Sequence, residues 1–206
     1  IRASYHGTKP IDFSTQQKLY KSIYIDLSDT HLYTSIDTAF SISVATLFAQ
    51  LVDIKDGIGK DTMADYDTIA VDVVSALDIA HSDGSLKNQV AADLNKFIIR
   101  DAEVVQGLER YKRHDKKIFI VTNSDYTYTK LLLDYAITPF LKDHTHWSEL
   151  FEVIITYAQK PRFFFDNLRS LKVDPESGTM TNYDGPLRAG IFQGGNAMKF
   201  ARDLGV

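Results

Sequence analysis

Two short stretches of this 206-residue chain carry groups able to hold a phosphate. The first is Thr122-Asn123-Ser124, which places a hydroxyl, a carboxamide and a second hydroxyl directly after the apolar run Ile118-Phe119-Ile120-Val121. The second is Lys160-Pro161, which puts an ammonium a few residues past Val153-Ile154-Ile155. Both apolar runs are short, continuous and β-branched, the pattern of buried parallel strands. In open α/β sheets, ligands gather beyond the carboxyl ends of such strands. Free backbone N–H groups at the start of the following helix favour an anion there. A Thr hydroxyl, those amides and a Lys converging on one point make a phosphate site with charge-assisted hydrogen bonds. The same Thr-Asn-Ser is also a good helix cap, and a lone lysine after a strand is commonly solvated. Spacing alone leaves both readings open.

The elements that must position these groups follow from periodicity. Residues 2–14, broken by Gly7 and Pro10, predict a strand or hairpin arm and a turn. From about Ser14 to Asp115 the pattern is helical. Ser28-Asp29-Thr30 offers caps before a run through Leu51. Ile69, Val73, Leu77 and Ala80 mark a helix over 65–81, and Leu86, Val90, Leu94 and Ile98 mark another after Gly84-Ser85. A further helix is predicted over 101–111. The texture changes at Lys116. Strands at 118–121 and 153–155, a helix over 125–137 and a strand–turn–strand over 163–183 follow, the turn at Asp174-Pro175-Glu176-Ser177-Gly178. Gly194-Gly195-Asn196 leads into a last helix with Ala197, Phe200, Ala201 and Leu204. Strand–helix alternation predicts a parallel sheet. The fold class is therefore α/β. A partial Rossmann-like core (residues 1–14 and 115–206) is expected to carry a mostly helical cap insertion over 15–114.

Composition narrows the function classes. Lys+Arg is 23 and Asp+Glu 27, a formal charge of −4, which argues against a nucleic-acid binder that works by charge alone. A 44% hydrophobic content supports a packed core and excludes wholesale disorder. The absence of cysteine excludes a disulfide scaffold and thiolate metal sites, with the cytoplasm as the default compartment. Residues 1–12 have no apolar signal core, and Thr38–Val52 is too short and polar to span a bilayer, so no membrane partner is expected. The chain opens on Ile1 and closes on Asp203-Leu204-Gly205-Val206, and both ends are expected to continue into a longer protein.

The ordered motifs resemble the cytosolic purine 5′-nucleotidases of the haloacid dehalogenase superfamily. Ile118–Tyr126 with Tyr128-Thr129 is similar to that family's second motif. Trp147–Ile154 followed by Lys160-Pro161 and Phe163-Phe164 resembles the segment bearing its third-motif lysine. Gly185-Pro186-Leu187, Gly190-Ile191 and Gly194-Gly195 resemble its "GPL…GI…GG" run, and Asp78, His81 and Gly84-Ser85-Leu86-Lys87 its cap segment. The resemblance implies a Mg²⁺-dependent phosphohydrolase that releases phosphate from nucleoside 5′-monophosphates through an aspartyl-phosphate. Thr122 would hydrogen-bond the phosphate, with Asn123 and Ser124 completing its site, and Lys160 would hold nucleophile and phosphate. Phe40, Asp78, His81 and Lys87 would contact the nucleoside or an effector. The resemblance leaves a homo-oligomer open.

The chain departs from that pattern at identifiable positions. The DxDx(T/V) first motif and the acidic fourth motif are absent, so the nucleophile and the metal-binding acids are expected in flanking sequence. Val74 stands where the family has an arginine, and Asp37 where it has an asparagine. A nucleotide-binding or scaffold protein with a decayed catalytic site is therefore the alternative. Asp26-Leu27-Ser28-Asp29 and Asp65-Tyr66-Asp67 are the nearest internal acids, and both suit helix starts. His144-x-His146 with Asp143 has metal-ligand residue types, but three ligands in so short a loop rarely converge, and a solvated loop is expected. The basic run Arg110–Lys117 reads as a solvated helix end, and Phe163-Phe164-Phe165 as core or a contact strand.

Overall fold

The computed structural model describes residues 1–20, 26, 29, 32–36, 41–58, 60 and 62–205. The chain is mixed α/β and divides into two units, Ile1–Leu86 and Lys87–Val206. Among the described residues no helix is long and apolar enough to cross a membrane.

The first unit opens with β1 (Tyr5–His6) and β2 (Lys9–Pro10), the expected hairpin, antiparallel with Tyr5 opposite Pro10. Gly7 turns it at φ +61°, and a Cβ there would collide with the Asp53 carboxylate that accepts the Thr8 N–H. Next comes α1 (Phe13–Leu19), started by Asp12, which accepts the Thr15 N–H at 3.0 Å. Helix α2 (Ile42–Gly57) packs against α3 (Tyr66–Ser82), and Val52, Ile69 and Val73 are their buried apolar residues. The run expected to start at Ser28–Thr30 is shorter, because residues 33–36 are irregular and α2 begins only at Ile42. Thr34 and Ser35 carry hydroxyls that compete with helical bonding. Asp65 accepts the Thr68 N–H at 2.8 Å and Asp67 sits in the first turn, so this acidic pair starts a helix, as expected.

Helix α4 (Ser85–Ala92) begins two residues before the second unit. The long helix predicted through Ile98 breaks at Asp93, which captures the Lys96 N–H and starts the short α5 (Leu94–Phe97). Helix α6 (Ala102–Arg113) is capped by Asp101. Then follow β3 (Phe119–Val121), α7 (Tyr126–Ala136), β4 (Val153–Thr156), α8 (Arg162–Phe165), β5 (Ser170–Val173), β6 (Met180–Tyr183), β7 (Gly190–Gly194) and α9 (Ala197–Leu204). The sheet order is β3-β4-β7-β5-β6. Strands β3, β4 and β7 are parallel, as the strand–helix alternation predicts. The β5–β6 hairpin adds two antiparallel neighbours, so the sheet is mixed. Phe163–Phe165, read as strand, forms α8 instead. Only Phe163 is buried, and Arg162 pairs with Asp166 one turn on.

Alternation along β4 and β7 builds two cores. Ile154 and Ile191 face one layer with Val105, Tyr126, Ile137, Trp147 and Leu150. Val153, Ile155 and Phe192 face the other with Ala158, Phe163, Leu187, Phe200 and Leu204. At the edge, β3 is only half buried, with Phe119 46% exposed.

The Gly185-Pro186-Leu187 segment is fastened to α9. The Asp203 carboxylate, 8% exposed, accepts the Leu187 N–H at 2.9 Å and pairs with Lys199 and Arg202. Lys199 Nζ also donates to Gly185 O at 2.6 Å. The Leu187 N–H, then the Lys199 and Arg202 bonds, hold the Asp203 carboxyl down at about 2. A depressed folded value contributes stability above the ordinary carboxylate range and loses it as pH falls toward 2. Asp203→Asn is expected to lower unfolding stability by about 1–2 kcal/mol at pH 7. The difference should shrink toward zero near pH 2 in urea titrations run at both pH values. A constant difference at the two pH values would detach it from the carboxylate charge.

Candidate active site

The carboxyl ends of β3 and β4 are joined beyond their regular pairing. Within the strands Phe119, Ile120 and Val121 lie opposite Val153, Ile154 and Ile155. Past the strands Thr122 donates to Ile155 O and accepts from the Ala158 N–H, both at 2.9 Å, and Tyr157 donates to Ser124 O at 2.7 Å. The Asn123 side chain then closes a reciprocal pair with the Lys160 backbone. Its Nδ2 donates to Lys160 O at 3.0 Å and its Oδ1 accepts the Lys160 N–H at 2.7 Å. The Lys160 ammonium turns back and donates to Val121 O at 2.9 Å, one residue before Thr122. Thr122 Oγ1 accepts the Ser124 N–H at 3.1 Å. The two predicted stretches therefore meet at one end of the sheet, with Lys160 exposed and Thr122 and Ser124 half-buried.

Helix α7 starts from this loop. Asp125 is its cap, accepting the Tyr128 N–H at 2.8 Å. Lys87 Nζ lies 3.2 Å from Asp125 Oδ2 and over the Tyr128 ring. Burial pushes the Asp125 carboxyl up, but the Tyr128 N–H and the Lys87 ammonium outweigh it and hold it below its ordinary value. Lys87 thus approaches the Thr122–Ser124 turn through an ion pair with a helix cap. A pocket of about 370 Å³ against β3 and α7 is lined by Thr122 and Ser124 together with Ile120, Thr129, Leu132, Leu133 and Phe151.

At the same end of the sheet, β7 runs into Gly194-Gly195-Asn196. Gly195 has φ +88°, and a Cβ on it would lie 2.7 Å from the buried Ser170 Oγ, so glycine is required. Asn196 caps α9 through the Lys199 N–H and donates to Asn167 Oδ1 and Leu168 O, both at 3.0 Å. These stapling asparagines are not visible as such in sequence, because their partners lie on other loops.

The remaining predicted residues fall elsewhere. Asp78 and His81 lie on α3 in the first unit. Asp78 lines a pocket of about 570 Å³ with Val74, Ser75 and Ile79, and His81 Nδ1 bonds Leu77 O at 2.7 Å. Phe40 and Asp37 lie outside the described residues. The histidine pair is spent on structure. His144 faces the buried Glu109 at 3.3 Å, and His146 faces Asp134 at 3.2 Å. Glu109 Oε1 also accepts the Lys142 and Asp143 N–H groups, so this loop, exposed at Lys142, Asp143 and Thr145, is pinned from beneath. Among the described residues no group of three or more His, Asp or Glu is placed to hold a metal ion.

Comparison with known proteins bears on the whole chain. A family model described as the 5′ nucleotidase family matches residues 1–206. The chain is 28% identical over 168 residues to 5′-nucleotidase domain-containing protein 2 of Rattus norvegicus, covering 79% of the chain and 28% of that protein. It is 28% identical over 166 residues to the Homo sapiens protein of the same name, covering 79% and 30%. A 5′-nucleotidase domain-containing protein of Dictyostelium discoideum is 27% identical over 165 residues. The chain spans less than a third of the length of these relatives.

The Lys87–Asp125 pair gives a direct check on the loop's electrostatics. Lys87→Met is expected to move the Asp125 titration midpoint upward in a carboxyl-detected NMR pH series. An unmoved midpoint would leave the Tyr128 N–H as the group that sets it.

Proposed function

This chain belongs to the 5′-nucleotidase family, and on that premise we propose that it supplies the phosphate-binding part of a phosphohydrolase site for nucleoside 5′-monophosphates. The observation that carries this reading is the Lys160 ammonium held 2.9 Å from Val121 O, at the end of β3 beside Thr122. A phosphate seated there would meet that ammonium and the Thr122–Ser124 turn, with Asn123 between the two loops. Charge-assisted hydrogen bonds of this kind are the strong ones. A preorganised ammonium also stabilises the charge that develops on the transferring group.

The displacement itself needs a nucleophile, and in this proposal it is an aspartate from sequence outside residues 1–206. Its carboxylate oxygen attacks phosphorus, the nucleoside alkoxide departs, and water then cleaves the acyl phosphate. A place for such a strand exists in the haloacid dehalogenase-like core proposed here. Strand β3 pairs with β4 on one side and, among the described residues, with nothing on the other. The acids described here do not form a Mg²⁺ site, since Asp125 is taken up by Lys87 and the cap of α7. Mg²⁺ therefore enters this proposal only with acids from the same flanking sequence. The helices upstream of the sheet are proposed as the cap that meets the nucleoside, through Phe40, Asp78, His81 and Lys87. A cytoplasmic enzyme, with self-association open, completes the reading.

The test is phosphate release from a panel of nucleoside monophosphates by the intact protein with Mg²⁺ present. Lys160→Ala is expected to lower the rate by at least about 10², the scale for removing one charge-stabilising donor. An undiminished rate would overturn the assignment of Lys160. Nucleotide binding with no phosphate release by the unmodified protein would favour the binding-protein alternative.

A further inference from the structure

We propose that Asn123 is a positioning residue that acts on the reaction through Lys160. This rests on the functional reading above and deepens it. The carboxamide makes a reciprocal pair with one backbone unit, an N–H to Lys160 O and its C=O to the Lys160 N–H. A carboxamide is the one side-chain group that presents an N–H and a C=O in the geometry of a peptide unit. Asn123 therefore pairs with Lys160 as a neighbouring strand would.

The need for such a partner is visible in the backbone. After β4 the chain leaves the regular register for Tyr157, Ala158 and Gln159 before reaching Lys160. Tyr157 has φ 44° and Gln159 φ 58°, a left-handed conformation that residues with side chains adopt only when their surroundings enforce it. The enforcing bonds come from three consecutive residues of the other loop, Thr122, Asn123 and Ser124. Those of Thr122 and Ser124 are made by backbone atoms, so a substitution leaves them available. The Asn123 pair is the one made by a side chain, and it falls on the lysine itself. With the lysine backbone fixed, its stem has one short return path to Val121 O. Without the pair, Lys160 can drift along with the strained loop. Misplacement of a charged group by about 1 Å is enough to reduce a rate by about 10².

A double-mutant cycle in the intact protein separates positioning from direct binding. Asn123→Ala is expected to lower kcat by about 10-fold to 10² while KM for a nucleoside monophosphate changes far less. In the Lys160→Ala background the same substitution should cost nothing further, because there is no ammonium left to misplace. Losses that multiply would mean Asn123 touches the phosphate or acts independently, and they overturn the proposal. So would full activity of Asn123→Ala. A second measurement does not depend on turnover. Hydrogen exchange of the Lys160 amide should accelerate in Asn123→Ala, which removes the oxygen that accepts it. Equal protection in the two proteins overturns the clasp even if the unmodified protein releases no phosphate, an outcome that would separately end the functional reading.

Discussion

Strand β4 is buried on both faces, and the rest of the second unit is organised by that constraint. Val153, Ile154, Ile155 and Thr156 have no appreciable exposed surface. A strand in that position must have a layer of side chains on each side and a hydrogen-bonded neighbour on each edge. Ile154 draws in Trp147, Leu150 and the α6–α7 layer, and Val153 and Ile155 draw in Phe163, Phe200 and Leu204. Its two neighbours, β3 and β7, are parallel to it, which brings three strand ends and their loops to one edge. The candidate site is a consequence of this arrangement. Thr122, Lys160 and Asn196 each follow a strand whose direction β4 has fixed.

Much of this was legible because burial leaves a mark on composition. The runs 118–121 and 153–155 have no polar residue in them, and both are strands within a residue of the expected bounds. The caps were legible for the same local reason. Asp65, Asp101 and Asn196 each precede a helix and accept an N–H two or three residues on. That the Thr122 and Lys160 loops share one end of the sheet follows from β3 and β4 being parallel neighbours, as strand–helix alternation predicts.

What was not legible depends on partners distant in sequence or on competition between local signals. Phe163-Phe164-Phe165 has strand composition, yet Phe164 and Phe165 are exposed, because Pro161 and the Arg162–Asp166 pair favour a single helical turn. The bonds that Asn123 makes with the Lys160 backbone depend on a three-residue excursion of another loop. Glu109 is a surface-type residue on an amphipathic helix, and nothing nearby marks it as the buried acceptor for Lys142, Asp143 and His144. The composition of Asp143–His146 is that of a metal loop, whereas the fold spends both histidines on carboxylates of α6 and α7.

The flank of β3 that has no partner among the described residues has a consequence of a different kind. Backbone N–H and C=O groups along a strand do not discriminate between partners, and any extended segment can pair with them. Phe119 at 46% exposed adds apolar surface to that edge, and the exposed Lys116 and Lys117 just before the strand are the charges that stand against a wrong neighbour. A segment pairing with this flank would therefore do a second job, keeping one copy of the chain from adding its strand to another.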